Sequence, residues 1–159
     1  MSYNNLYGKG QGQNRGGSYA GGGSQEFIKK IQEARNLSGI TVEEVAREDG
    51  IAESAAKAFG KNLKTTQLRK FFDQAKSIEA GLKEDGWESV SADFAMLRPI
   101  LAYAKGRRLI PDDFYLFISS CMAKVLAPDN DMEMTKKNYI RFIQILESVV
   151  AYHKYHYGE

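Results

Sequence analysis

One cysteine and two histidines in 159 residues remove whole classes of chemistry before any motif is weighed. The lone Cys121 has no second cysteine for an internal disulfide or a shared thiolate metal site, and its place on an apolar helical pattern marks it as a small core residue. His153 and His156 stand three apart on the last helical pattern, which puts both on one face. The acids nearest in sequence are Glu147 and the terminal Glu159, and two imidazoles alone make a weak metal claim. A tyrosine-rich helix end is the plainer meaning. There is no Walker loop, no GxGxxG after a strand, and no serine or cysteine in a nucleophile context. Binding rather than catalysis is expected, with no cofactor. Apolar runs of about 18 to 20 residues are missing, and so is a basic-then-apolar leader, so the expectation is a cytoplasmic protein with neither a membrane span nor a signal peptide.

Excess charge is also scarce. The formal net charge is +2, and residues 1–24 hold Lys9 and Arg15 with no acid, which accounts for all of it and leaves residues 25–159 neutral. Any nucleic-acid binding by the folded part must therefore come from a local patch, because clustered Lys and Arg displace counterions from phosphates. Residues 1–24 contain eight of the fifteen glycines and no Val, Ile or Phe. Such a segment cannot offset its ordering entropy by burial, and it reads as a flexible leader ahead of a single domain over residues 25–159. Arg15, Lys9 and three tyrosines would allow stacking on single-stranded RNA, but two cations are few for that task.

What is present is helical periodicity. The central stretch runs from Lys64 to Leu82, with Leu68, Phe71, Phe72, Ala75, Ile78 and Leu82 at three- and four-residue steps on one stripe. Thr65 or Thr66 is expected to cap it and Asp85-Gly86 to stop it. Its other face carries Arg69, Lys70, Lys76 and Lys83. Upstream, Ser24 is expected to cap a helix bearing Phe27, Ile28, Ile31 and Ala34 that ends at Gly39. Thr41-Val-Glu-Glu reads as a capping box opening the series Val42, Val45, Ala46, Ala52, Ala56 and Phe59, with Gly50 either tolerated inside one helix or separating two. That second option has helix-turn-helix spacing, but a recognition helix offering Glu53, Ser54, Ala55 and Lys57 is a poor reader of base edges, and closing the core is the plainer role.

Downstream, Val90, Phe94, Leu97, Leu101 and Ala104 mark a helix with a kink or fresh start expected near Arg98, because Pro99 falls inside the pattern. It ends in Lys105-Gly106-Arg107-Arg108, the densest cationic cluster of the chain. One cation would complement a helix C-terminus, and three in four residues point to a phosphate contact. A further helix is expected from Pro111 to Pro128, with Phe114, Phe117, Ile118, Cys121, Met122, Val125 and Leu126 inward. A last one is expected from Met134 or Thr135 through Tyr139, Phe142, Ile143, Leu146, Val149 and Val150. Nothing reads as a paired strand, so the fold class is all-α, a compact bundle of about five to six helices.

Three blocks in this order carry a family resemblance: Leu63-Lys-Thr-Thr-Gln-Leu-Arg-Lys-Phe, Leu101-Ala-Tyr-Ala-Lys-Gly-Arg, and Asn138-Tyr-Ile-Arg-Phe-Ile-Gln-Ile-Leu-Glu-Ser-Val-Val-Ala-Tyr-His-Lys-Tyr-His. Over roughly residues 41–158 the chain resembles the small subunit of the type III-A (Csm-type) CRISPR effector complex, a ribonucleoprotein of antiviral defence. The Gly-rich leader has no counterpart in that pattern. The resemblance implies a helical subunit stacked in several copies beside the guide RNA and the backbone and large subunits. It further implies contact with the target RNA and no nuclease site of its own. Carried over by block, Arg69 and Arg107 are the first RNA-binding candidates, and Lys64, Lys70, Arg108 and Lys154 the second. A DNA-binding helix-turn-helix protein is the rival reading, and a protein-only helical adaptor the third.

Overall fold

The computed structural model describes residues 26–158. The expected leader and the Ser24 cap lie outside the described residues. Seven helices follow in order: α1 Glu26–Glu33, α2 Val42–Ala46, α3 Ile51–Phe59, α4 Thr65–Asp85, α5 Trp87–Gly106, α6 Asp112–Ala123 and α7 Met132–Tyr157. Short 3₁₀ turns lie at Leu37–Gly39, Gly60–Asn62 and Pro128–Asn130, and the described residues contain no strand. Since α2 is little more than one turn, the bundle has six helices of eight residues or more, as the periodicity implied.

The longest helix, α7, is the axis, and it packs chiefly against α3 and α4. Its side chains Tyr139, Phe142, Ile143, Leu146 and Val149 are buried, as their spacing predicted. Two aromatic groups build the core. Phe27, Phe59, Phe117, Phe114 and Phe71 meet largely edge to face, joining α1, α3, α6 and α4. Trp87 and Phe94 of α5 meet Tyr139, which in turn meets Phe142. Edge-to-face rings add to what their area burial contributes. The Tyr139 hydroxyl donates to the Ala75 carbonyl at 2.7 Å, tying α7 to α4, and burial pushes the phenol pKa well up.

Buried Asn138 ties two connections, α1–α2 and α6–α7, to α7. Its Oδ1 accepts from the Ser38 N–H at 2.9 Å, and its Nδ2 donates to the Val125 carbonyl at 2.9 Å and to Asn36 Oδ1 at 3.2 Å. An amide with this many partners in a core can be buried without the cost of an unpaired polar group.

Several expected boundaries move, each for a physical reason. Helix α1 stops at Glu33, and Gly39 instead closes the following 3₁₀ turn. The central helix α4 is capped by neither Thr65 nor Thr66: extended Lys64 occupies the cap position with no side-chain bond, because buried Leu63 sets where the chain enters. Gly86 stops it, as expected, with a φ of 82°. Pro99 gives no fresh start, since α5 runs through it. Its face is exposed, so water can serve the carbonyl that proline leaves without an N–H. Helix α6 ends at Ala123, before Pro128, which leaves Leu126 58% exposed. Helix α7 begins earlier than expected because Asp131 Oδ1 caps it, accepting from the Met134 N–H at 3.0 Å.

The capping box at Thr41 forms as read, with the Thr41 N–H donating to Glu44 Oε2 at 2.9 Å and the Glu44 N–H to Thr41 Oγ1 at 3.1 Å. The Thr41 N–H, and then the Thr41 hydroxyl donating to Glu44 Oε2 at 3.2 Å, hold the Glu44 carboxyl below its ordinary pKa. Two helices separate at Gly50, where a Cβ would approach the Glu44 and Arg47 carbonyls to 2.6 and 2.8 Å. Val42 is 44% exposed and Ala46 is exposed, contrary to the expected inward series, because α2 ends after five residues.

Candidate nucleic-acid interface

Helices α4 and α5 form an antiparallel hairpin around Gly86. They pack closely because position 81 is glycine: a Cβ there would come within 2.8 Å of Val90 Cγ1. Antiparallel geometry brings the start of α4 beside the end of α5. Two cations 37 positions apart thereby converge, since Lys70 and Arg107 line one groove of about 100 Å³ with Gln67, Gln74, Tyr103 and Phe114.

The Arg107 end is built by a helix C-cap. Leu109 N–H donates to the Ala104 carbonyl and Arg108 N–H to the Lys105 carbonyl, both at 2.9 Å, the pair of bonds that defines a Schellman motif. The motif requires a left-handed residue after the cap, and that residue is Arg108, at φ 59°. Glycine is the usual occupant, so the chain holds an arginine where the backbone disfavours one.

The three cations of the cluster differ in freedom. Lys105 lies 3.5 Å from Asp112 and 4.5 Å from the Tyr115 ring centroid, so it is held at the start of α6. Arg107 meets no carboxylate among the described residues; it donates to the Tyr103 hydroxyl at 3.3 Å and lies 5.5 Å from that ring. Arg108 lines a second hollow with Asn62, two residues before Lys64, at the same end of the hairpin. Lys64, Lys70 and Arg108 are exposed and form no ion pair among the described residues.

The remaining candidates lie elsewhere. Arg69 follows Gln67 by two positions, roughly 200° around α4, and so faces solvent on the side away from the groove. Lys154 is exposed on the last turns of α7 and lines neither hollow. Lys76 and Lys83 both bind Glu79, at 3.3 and 2.7 Å. The sequence reading missed Tyr103 and Tyr115, the aromatic partners of the cationic end. The available signal was Tyr103 four residues before Arg107, one helical turn.

The tempting reader helix α3 is enclosed. Ile51, Ala52, Glu53, Ala55, Ala56 and Phe59 are all buried, leaving Lys57 as its one exposed position. Glu53 Oε1 accepts from the Asp49 N–H at 2.8 Å, and its Oε2 lies 3.0 Å from His156 Nε2. These two bonds hold the Glu53 carboxyl below its ordinary range. His153 Nε2 lies 2.9 Å from the Gly60 carbonyl, and since a carbonyl only accepts, that nitrogen carries the proton. Both histidines thus fasten α7 to the α3 region. Cys121 is fully buried, and burial pushes its thiol pKa far up, as expected for a core residue.

No helix among the described residues is long and apolar enough to cross a membrane. A family model described as Csm2 Type III-A matches residues 42–159. No curated protein and no solved structure matches the chain.

Proposed function

The chain belongs to the Csm2 type III-A family, and is thus a small subunit of a type III-A CRISPR complex; from that premise we propose that it contacts the target RNA backbone through the Lys70–Arg107 groove. The observation that carries this reading is the convergence of two cations from opposite helices with no carboxylate between them. Arg108 and Lys64 extend the same end of the hairpin, and the exposed Tyr103 ring offers a face on which a base can stack. Arg69 and Lys154 are separate contacts for other stretches of the guide–target duplex.

A side-chain set of this kind binds phosphates and reads no sequence, which leaves recognition to base pairing with the guide RNA. Several copies stack along that duplex beside the backbone and large subunits, each adding a weak contact through effective concentration. The subunit itself performs no catalytic step. The enclosure of α3 disfavours the helix-turn-helix alternative, because a recognition helix must lay side chains into a groove and six of the nine α3 positions are buried in the core.

The test is titration of single-stranded RNA and of a guide–target duplex with wild type and Lys70→Ala/Arg107→Ala at several salt concentrations. We expect weaker binding and a salt dependence flattened by about 0.7 to 0.9 per contact removed. Helicity and melting temperature should be unchanged, since both side chains lie off the core. Wild-type affinity and salt slope in the double variant would overturn the assignment of this groove.

A further inference from the structure

Helix α5 carries two apolar stripes, and the fold uses one. Val90, Phe94, Leu97 and Leu101 are buried. Roughly 110° around the axis, Met96, Ile100 and Tyr103 follow at steps of four and three residues. Met96 is 57% and Tyr103 64% exposed, with Ile100 half-buried between them. The same register reaches Asp93 at one end and Arg107 at the other, each seven residues, about 10 Å, from Ile100.

The charges along this face are segregated. Toward the hairpin turn, Asp73, Asp85 and Asp93 line the α4–α5 groove and no lysine or arginine does. Toward the other end the charged lining is Lys70 and Arg107. Gln74 and Ile100 border both halves, so one continuous trough is acidic at one end, cationic at the other and apolar in the middle. Neither Asp93 nor Arg107 has an ion-pair partner among the described residues.

A surface whose charges are opposite at equal distances from its centre is complementary to itself after a half-turn. We propose that this face docks a second copy of the chain, with α5 antiparallel to the α5 of its partner about a two-fold axis through Ile100. Asp93 then faces the partner's Arg107 at one end and Arg107 faces the partner's Asp93 at the other. Met96 meets the partner's Tyr103 on either side of the axis. A parallel arrangement would set like charges against each other, which costs free energy. The contact is isologous and closes at two copies, unlike the open stack proposed for the assembled complex. It covers Lys70 and Arg107, so the subunit outside the complex has its cationic groove occupied by another subunit. The pairing itself does not depend on RNA binding and is tested without RNA.

On a two-fold axis a residue meets its own counterpart, which makes a single cysteine diagnostic. Cys121 is the chain's one cysteine and is buried, so a new thiol at the surface reports alone. Ile100→Cys in the full chain, treated with a mild oxidant, should form a disulfide-linked dimer at least tenfold faster than Lys29→Cys on exposed α1, because cross-linking needs Cα atoms within about 7 Å. Adding Asp93→Arg to Ile100→Cys should slow the reaction, and adding Asp93→Arg with Arg107→Asp should restore it by re-forming both pairs in reverse. Equal rates for the two single-cysteine variants, or a double reversal as slow as the single, would overturn the proposal. The RNA titration above is read separately, so either result can fail while the other stands.

Discussion

Glu53 Oε2 and His156 Nε2, 103 positions apart in sequence, lie 3.0 Å from each other and close the last turns of α7 onto the first turn of α3. The same carboxylate takes the Asp49 N–H at 2.8 Å and sits 3.9 Å from Lys57 Nζ. One acidic side chain thus joins the loop before α3, α3 itself and the C-terminal helix. A carboxylate in this position is a fastening inside the bundle, which is why it cannot belong to a DNA-reading surface.

That geometry sets the direction of an acid response. The backbone N–H of Asp49 and then His156 hold the Glu53 pKa below its ordinary value of 4.5. A carboxyl depressed in the folded state contributes stability above its unfolded pKa and loses it as pH falls through the lower folded value. Wild type should therefore melt higher than Glu53→Gln at pH 7, with the gap closing below about pH 4.5. Melting curves of both proteins from pH 7 to pH 3 give the result; a gap that widens on acidification would contradict the assigned role.

Neighbouring phenylalanines on α4 should separate cleanly. Phe71 is buried against Phe114 at 6.1 Å, whereas Phe72 is half-buried at the edge of the core. Phe71→Ala should cost about 3 to 5 kcal/mol by denaturant unfolding, and Phe72→Ala distinctly less. Both belong to the apolar stripe in the sequence, so the difference measures what the stripe alone does not specify.

Arg108 stands where the Schellman motif favours glycine. Arg108→Gly should relieve the left-handed backbone and raise unfolding free energy by up to about 1 kcal/mol. The same substitution should weaken RNA binding if the arginine is retained for its charge. Unfolding and RNA titrations on one sample decide this, and a destabilised variant would show that the Arg108 side chain supports the fold instead.

The helix-turn-helix alternative makes a separate demand on α3. A duplex reader should select a discrete site from random DNA by about a thousandfold or more and lose it on Lys57→Ala, since Lys57 is the exposed position of that helix. No selected DNA site is expected, and Lys57→Ala should leave RNA binding within about twofold of wild type.

Much of this architecture is legible from residue order. The stripe Leu68, Phe71, Ala75, Ile78 and Leu82 is buried as its spacing requires, because a helix of fixed pitch puts those positions on one side whatever packs there. The Thr41–Glu44 box forms for a similar reason: its partners lie three residues apart, within reach of local geometry. The start of α4 was not legible, because Leu63 is buried in the tertiary core. The Asp131 cap of α7 spans only three residues to the Met134 N–H, so that earlier start was a local signal the sequence carried. The three ordered blocks were enough to indicate the family that residues 42–159 match.

For the candidate interface, the sequence by itself determined that cations cluster at Lys105–Arg108 and recur at Lys64, Arg69 and Lys70. Only the tertiary structure decided which of them stand side by side. Periodicity assigns a residue to a face of its own helix, but it does not say which face of another helix lies opposite. The antiparallel α4–α5 packing, made close by Gly81 against Val90, set Lys70 beside Arg107 and turned Arg69 away. It also left the second stripe of α5 open, where Asp93 and Arg107 stand at equal distances from Ile100. Those pairings depend on how two helices meet in space, and that information is carried by packing among residues far apart in the chain.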